Sequence, residues 1–158
     1  MIVVLMGVSG AGKTTIGGRL ARRLAWPFID ADDYHPSANI AKMAAGVPLT
    51  DEDRWPWLDA LNRRLREERD AIVACSALKH AYRERLLAGI VGARVVFLHG
   101  SRALIAKRLA ERKHRYMPAS LLDSQLATLE PPAHAIRVDV AGEPDDCVEA
   151  IATAIGER

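Results

Sequence analysis

The chain has 158 residues, 49% of them hydrophobic and 27% charged, enough to bury one sizeable core and not two. A formal charge of +2, from 22 basic and 20 acidic residues, gives no general case for a nucleic-acid or other polyanion partner. Cys75 and Cys147 show no ligand or CxxC spacing, which fits a reduced compartment. No apolar run approaches the roughly 18 residues that a membrane span needs, so a soluble, cytoplasmic protein is expected.

Ile2-Val3-Val4-Leu5-Met6 reads as a strand and runs into Gly7-Val8-Ser9-Gly10-Ala11-Gly12-Lys13-Thr14, the pattern GxxxxGK[ST]. Glycines let the backbone curl until successive N–H groups face phosphate oxygens. A helix N-terminus behind them adds unsatisfied donors and partial positive charge. Lys13 is suited to the β- and γ-phosphates and the Thr14 hydroxyl to Mg²⁺. The expected nucleotide cradle is therefore Gly7, Val8, Ser9, Gly10, Ala11, Gly12, Lys13, Thr14 and Thr15. Ile16, Leu20 and Leu24 give the following helix a buried stripe.

Phe28-Ile29 is a short strand candidate ending at Asp30, followed by the carboxylate-dense Asp30-Ala31-Asp32-Asp33-Tyr34-His35-Pro36. Asn39 to Ala45 predicts a short helix stopped by Gly46 and Pro48. Thr50 reads as a cap before an acidic first turn, and Leu58, Leu61 and Leu65 mark the core face of the helix it opens. Ala71 to Cys75 and Arg94 to Leu98 are the third and fourth strands, each followed by a helical segment. The charged run Glu111 to Pro118 reads as an exposed flap. A helix through Leu121, Leu122, Gln125 and Leu129 then closes at Pro131-Pro132. Ile136 to Val140 is the last strand and Val148 to Ile155 the last helix. Apolar strands alternating with helices predict a parallel sheet covered on both faces, a single α/β phosphate-loop domain over residues 1–158.

The other polar residues decide what such a loop serves. No NKxD-type guanine segment is present, and Asp139-Val140-Ala141-Gly142 reads as a turn after a strand. The third strand ends in Cys75-Ser76 and the fourth in His99, so neither supplies a metal-side carboxylate. Asp30, at the end of the second strand, is placed to help hold Mg²⁺, because strand ends and loop share one rim of a parallel sheet. Asp32 would face an acceptor hydroxyl; an acidic turn or cap is the competing reading of both residues. Arg108, Arg112, Lys113 and Arg115 could neutralise a moving phosphoryl group, with Arg108 and Arg112 sharing a face if their helix persists. Arg54 and Arg83 are candidate clamps for a carboxylate substrate, or surface partners of local acids.

The stretches MGVSGAGKTTIG, DADDYHPSANIAKMAAGVPLTDEDRWPWL, CSALKHAYR and MPASLLDSQLATLE together resemble the gluconokinase family, close to shikimate kinase within the nucleoside-monophosphate-kinase-like group. The similarity runs from Met6 to about Glu130, and the segment from Asp32 to Leu58 is its most specific part. The resemblance implies transfer of the ATP γ-phosphoryl group to the 6-hydroxyl of D-gluconate. It also implies Mg²⁺, a five-stranded parallel sheet, a lid at about 112–120 and often a homodimer. By the same resemblance Asp32 is the acceptor-side carboxylate and Asp30 the metal-side one. His35, Lys42, Arg54 and Arg83 fall in the substrate region, with Arg54 the leading clamp for the sugar acid. Arg108 and Arg112 lead into the lid, with Lys13, Asp32 and Arg112 the expected catalytic set. This chain departs from the family at His114-Arg115-Tyr116 and at Ala31, where glycine is usual. A kinase for shikimate, another sugar acid or a nucleotide remains an alternative, as does a nonenzymatic ATP-binding regulator.

Overall fold

A strand made only of apolar residues must be covered on both faces, and Ile2–Met6 (β1) is buried along its whole length. The computed structural model describes residues 1–112 and 119–157. It places β1 at the centre of a five-stranded sheet with β2 (Phe28–Asp30), β3 (Ala71–Ala74), β4 (Arg94–His99) and β5 (Ile136–Asp139). The order is β2-β3-β1-β4-β5 and every pairing is parallel. Helices α1 (Lys13–Leu24), α2 (Ser37–Ala44), α3 (Asp51–Arg66), α4 (His80–Leu86), α5 (Arg102–Ala110), α6 (Ala119–Thr128) and α7 (Pro144–Ala154) connect and cover it.

Side chains alternate along β1 and so feed two cores. Ile2, Val4 and Met6 face Trp57, Leu58, Leu61 and Leu65 of α3 together with Tyr82 and Leu86 of α4. Val3 and Leu5 face Ile16 and Leu20 of α1 and Val148 and Ile151 of α7. A third, smaller cluster lies over the loop that leaves β1: Val8, Leu78, Ile105 and Leu109 of α5, and Leu122 of α6. Cys75 and Cys147 are buried free thiols. Among the described residues no helix is long and apolar enough to cross a membrane.

Local chemistry explains most element ends. The Thr50 hydroxyl accepts the Asp53 N–H and the Asp53 carboxylate accepts the Thr50 N–H, a reciprocal cap for α3. The helix runs on through the exposed Pro56, which removes one backbone bond, because Trp57, Leu58, Leu61 and Leu65 behind it are buried. The last helix begins earlier than its apolar stripe suggests, at Pro144, whose fixed φ suits a first helical position. Helix α4 starts at His80, so Leu78 precedes it. Asp139 accepts the Ala141 N–H at 2.9 Å, the turn expected after the last strand. Helix α5 stops at Ala110, so Arg108 and Arg112 do not share an α-helical face as their spacing suggested. Most of the expected lid, with Lys113, His114, Arg115 and Tyr116, lies outside the described residues.

Candidate active site

Where β1 ends, the chain must turn sharply and deliver a helix N-terminus to the same rim. Gly12 caps α1 at φ 93°, a left-handed conformation that costs other residues strain. Gly10 has φ 87°, and a Cβ there would sit 2.8 Å from Leu109 Cγ, so the loop is pressed against α5. The first N–H groups of α1, at Lys13, Thr14 and Thr15, have no intrahelical acceptor and are available to an anion. Lys13 folds back over the loop and donates to the carbonyls of Gly7 at 2.8 Å and Val8 at 3.0 Å. Desolvation lowers its pKa from 10.5 to about 8; Cys75, Asp32 and Asp30 oppose the shift and Arg112 adds to it. Cys75 below is pushed up to about 12 by burial, so it stays a neutral thiol.

The carboxylates come from the next strand but one. Asp30 closes β2 and accepts the Asp32 N–H at 3.0 Å, capping a single 3₁₀ turn, Ala31–Tyr34. The Trp57 indole N–H donates to Ala31 O at 2.7 Å and so ties this turn to α3. His35 stacks on the same indole, ring centroids 4.2 Å apart. The buried Asn39 amide sits 3.2 Å from His35 Nδ1 and donates to Asp53 O at 2.9 Å. With the amide donating, Nδ1 is the acceptor and the proton lies on Nε2, which is 4.0 Å from Asp32 Oδ1. Burial lowers the His35 pKa; Asp32 opposes the shift and Arg54 adds to it. The imidazole is therefore a neutral N–H donor on the Asp32 side of the turn.

The basic residues divide. Arg112 bears electrostatically on Lys13, and Arg54 on His35. Arg108 bears electrostatically on Cys147 of α7 instead. Arg54 donates to Leu49 O at 2.8 Å, lies 3.9 Å from Asp51 and covers the Tyr82 ring at 5.1 Å. Lys42 is paired with Asp53 at 2.7 Å, and this bond with the Thr50 contacts holds Asp53 at about 2. Arg83 is buried, and its guanidinium donates to the carbonyls of Ala77, Leu78 and Glu130. In this structure those bonds pin the chain before α4 to the chain after α6.

Thr14 and Asp30 offer a hydroxyl and a carboxylate, hard oxygen donors that suit Mg²⁺. Among the described residues no group of three or more His, Cys, Asp or Glu gathers to hold a metal by itself. Three residues with clear structural parts were not singled out by motif reasoning: Asn39, Trp57 and Gln125. For Gln125 a signal existed, a polar residue beside the apolar Leu122 and Leu126 of α6; the Trp57–Ala31 and Asn39–Asp53 contacts offered none, since those partners are remote in sequence.

A family model described as an AAA domain matches residues 2–132. A gluconokinase from Gluconobacter oxydans (strain 621H) is 47% identical over 154 residues, covering 93% of this chain and 86% of that protein. A probable gluconokinase from Xenopus tropicalis is 47% identical over 152 residues, covering 84% of this chain and 80% of its own. The crystal structure of a gluconokinase from Sinorhizobium meliloti 1021 superposes with a TM-score of 0.89 at 44% identity, covering 97% of this chain and 90% of the other. At that identity, over at least 80% of both partners and with the phosphate loop and acidic turn in place, the chain belongs to the gluconokinase family.

Proposed function

We propose that the protein transfers the γ-phosphoryl group of ATP to the 6-hydroxyl of D-gluconate, giving 6-phospho-D-gluconate and ADP. The observation that carries this is the position of Asp32. Its carboxylate lies 4.0 Å from His35 Nε2, in the turn that follows β2, and bears electrostatically on Lys13 of the phosphate loop, which supports a place between a donor half and an acceptor half. On the donor side the loop N–H groups and Lys13 hold the triphosphate, Lys13 exchanging its Gly7 and Val8 carbonyls for phosphate oxygens. Thr14 and Asp30 would hold Mg²⁺, which neutralises charge on the β- and γ-phosphate oxygens when bound. Arg112 adds positive charge beside Lys13 as the phosphoryl group moves.

On the acceptor side Arg54 grips the gluconate carboxylate, a planar fork meeting a planar anion. His35 Nε2–H and Lys42 contact the polyol. An alkyl alcohol is a weak acid, so Asp32 orients the hydroxyl and takes its proton late. Arg83 acts behind this surface, holding the Ala77–Leu78 backbone in place. A homodimer belongs to the same reading, and the exposed Ile40, Met43 and Val47 offer an apolar face for it to cover.

An ADP-release assay over gluconate, other aldonates, shikimate and nucleoside monophosphates tests the assignment. Gluconate should give much the largest kcat/KM. A preference for another acceptor overturns the substrate, and nucleotide binding without acceptor-dependent turnover overturns the enzyme.

A further inference from the structure

The phosphate loop contains one contact that its motif does not require. Ser9 N–H donates to Gln125 Oε1 at 2.8 Å, and Gln125 Nε2 donates to Ser9 Oγ at 3.2 Å. One carboxamide thus takes both polar groups of a single loop residue, across 116 positions of sequence. The orientation of the amide is determined, because a backbone N–H can only donate and must face the oxygen. Gln125 sits on the apolar stripe of α6, beside Leu122 and Leu126, which pack with Val8, Ile105 and Leu109 against the same loop.

Two consequences follow from donor and acceptor counting. First, the Ser9 backbone N–H is already used, so it is not among the donors left for phosphate. Second, the Ser9 oxygen accepts from Gln125, and among the described residues no protein group accepts the Ser9 hydroxyl proton. A hydroxyl has one proton to give, and with its oxygen occupied by a donor on the α6 side that proton points away from α6.

We propose that Gln125 is a positioning residue that turns the Ser9 hydroxyl into a donor to the terminal phosphate of the bound nucleotide. Ser9 lies four residues before the first residue of α1, so its hydroxyl is a loop donor separate from the helix N–H groups, which are left to the inner phosphates. Gln125 touches neither nucleotide nor acceptor; it acts through Ser9. The inference rests on the kinase reading above for the identity of the ligand and adds a determinant of triphosphate over diphosphate preference.

The test measures affinity for ADP and for a nonhydrolysable ATP analogue, both with Mg²⁺, by calorimetry on the full chain. Gln125→Met keeps length without hydrogen bonds, and Gln125→Glu keeps an acceptor for the Ser9 N–H but draws the hydroxyl proton back to α6. Both should lose about tenfold or more in analogue affinity, the scale of a hydrogen bond to a charged group, with ADP affinity within about twofold. Ser9→Ala should show the same selective loss, and the Ser9→Ala/Gln125→Met double variant should add nothing further. Equal losses for ADP and analogue would show that Gln125 merely holds the loop together. Unchanged analogue affinity, or single losses that multiply in the double variant, would equally overturn the proposal. Because the readout is binding, a wild type that binds both nucleotides but does not phosphorylate gluconate sinks the functional reading and leaves this comparison intact.

Discussion

Asp32→Asn keeps the size of the side chain and the backbone N–H that Asp30 accepts, while removing the proton acceptor. We expect kcat for gluconate to fall by about 10²-fold or more with ATP affinity within about threefold, read from steady-state kinetics and nucleotide titration. Arg54→Ala should separate the other way, raising the gluconate KM by about tenfold or more and leaving the ATP KM nearly unchanged. Equal loss of ATP binding in both variants would contradict the division of the site. Lys13 makes a pH prediction. Its folded pKa, about 8, lies below 10.5, so the unfolded chain binds more protons across that window. Stability of the ligand-free protein therefore rises with pH from about 8 toward 10.5, and Lys13→Met should lack this component. An anionic triphosphate restores the charge, so ATP binding near pH 8 should take up a proton. Calorimetry in buffers of different ionisation enthalpy reads that uptake, and Lys13→Met should abolish it.

The elements that carry the chemistry were legible to the degree that their chemistry is local. Strand, glycine turn, lysine and helix are consecutive, so the turn from β1 into α1 could be read directly, as could the Thr50 cap of α3. Asp30 and Asp32 were readable because a polar run directly after a short apolar strand belongs at the sheet rim. What holds them there was not readable. The Trp57 indole meets Ala31 O across 26 positions and Gln125 meets Ser9 across 116, contacts that no spacing rule encodes. Arg83 reads from sequence as a clamp or a surface partner of local acids; its bonds to the carbonyls of Ala77, Leu78 and Glu130 are a third arrangement that spacing does not encode. The Trp57 contact makes its own prediction. Trp57→Phe keeps an aromatic ring beside His35 but strands the Ala31 carbonyl, and should lower the unfolding free energy by about 2 kcal/mol in urea titration. It should also reduce kcat more than the ATP KM, since the turn it releases carries Asp32 and not the phosphate loop.

At the scale of the molecule, α6 and the residues just after it tie the phosphate loop to the chain before α4. One part of it contacts the phosphate loop through Gln125 and Leu122, and just beyond its end Glu130 N–H donates to Leu78 O, with Arg83 donating to Glu130 O. The third core cluster is the apolar part of that bridge. Leu109→Ala should cost about 3 kcal/mol as a core cavity and also weaken ATP binding, because Leu109 backs Gly10. Ile151→Ala, a comparable deletion in the α1–α7 core, should cost stability alone. Denaturant titration beside nucleotide affinity separates the two.

The central claim is a bond made between a named phosphorus and a named oxygen, so the product tests it most directly. Wild-type protein incubated with ATP, Mg²⁺ and D-gluconate should yield ADP and 6-phospho-D-gluconate in equal amounts, the phosphate located on C6 by phosphorus–proton correlation NMR. ADP formed without phosphorylated gluconate, or phosphate found on another position or another acceptor, would contradict the account.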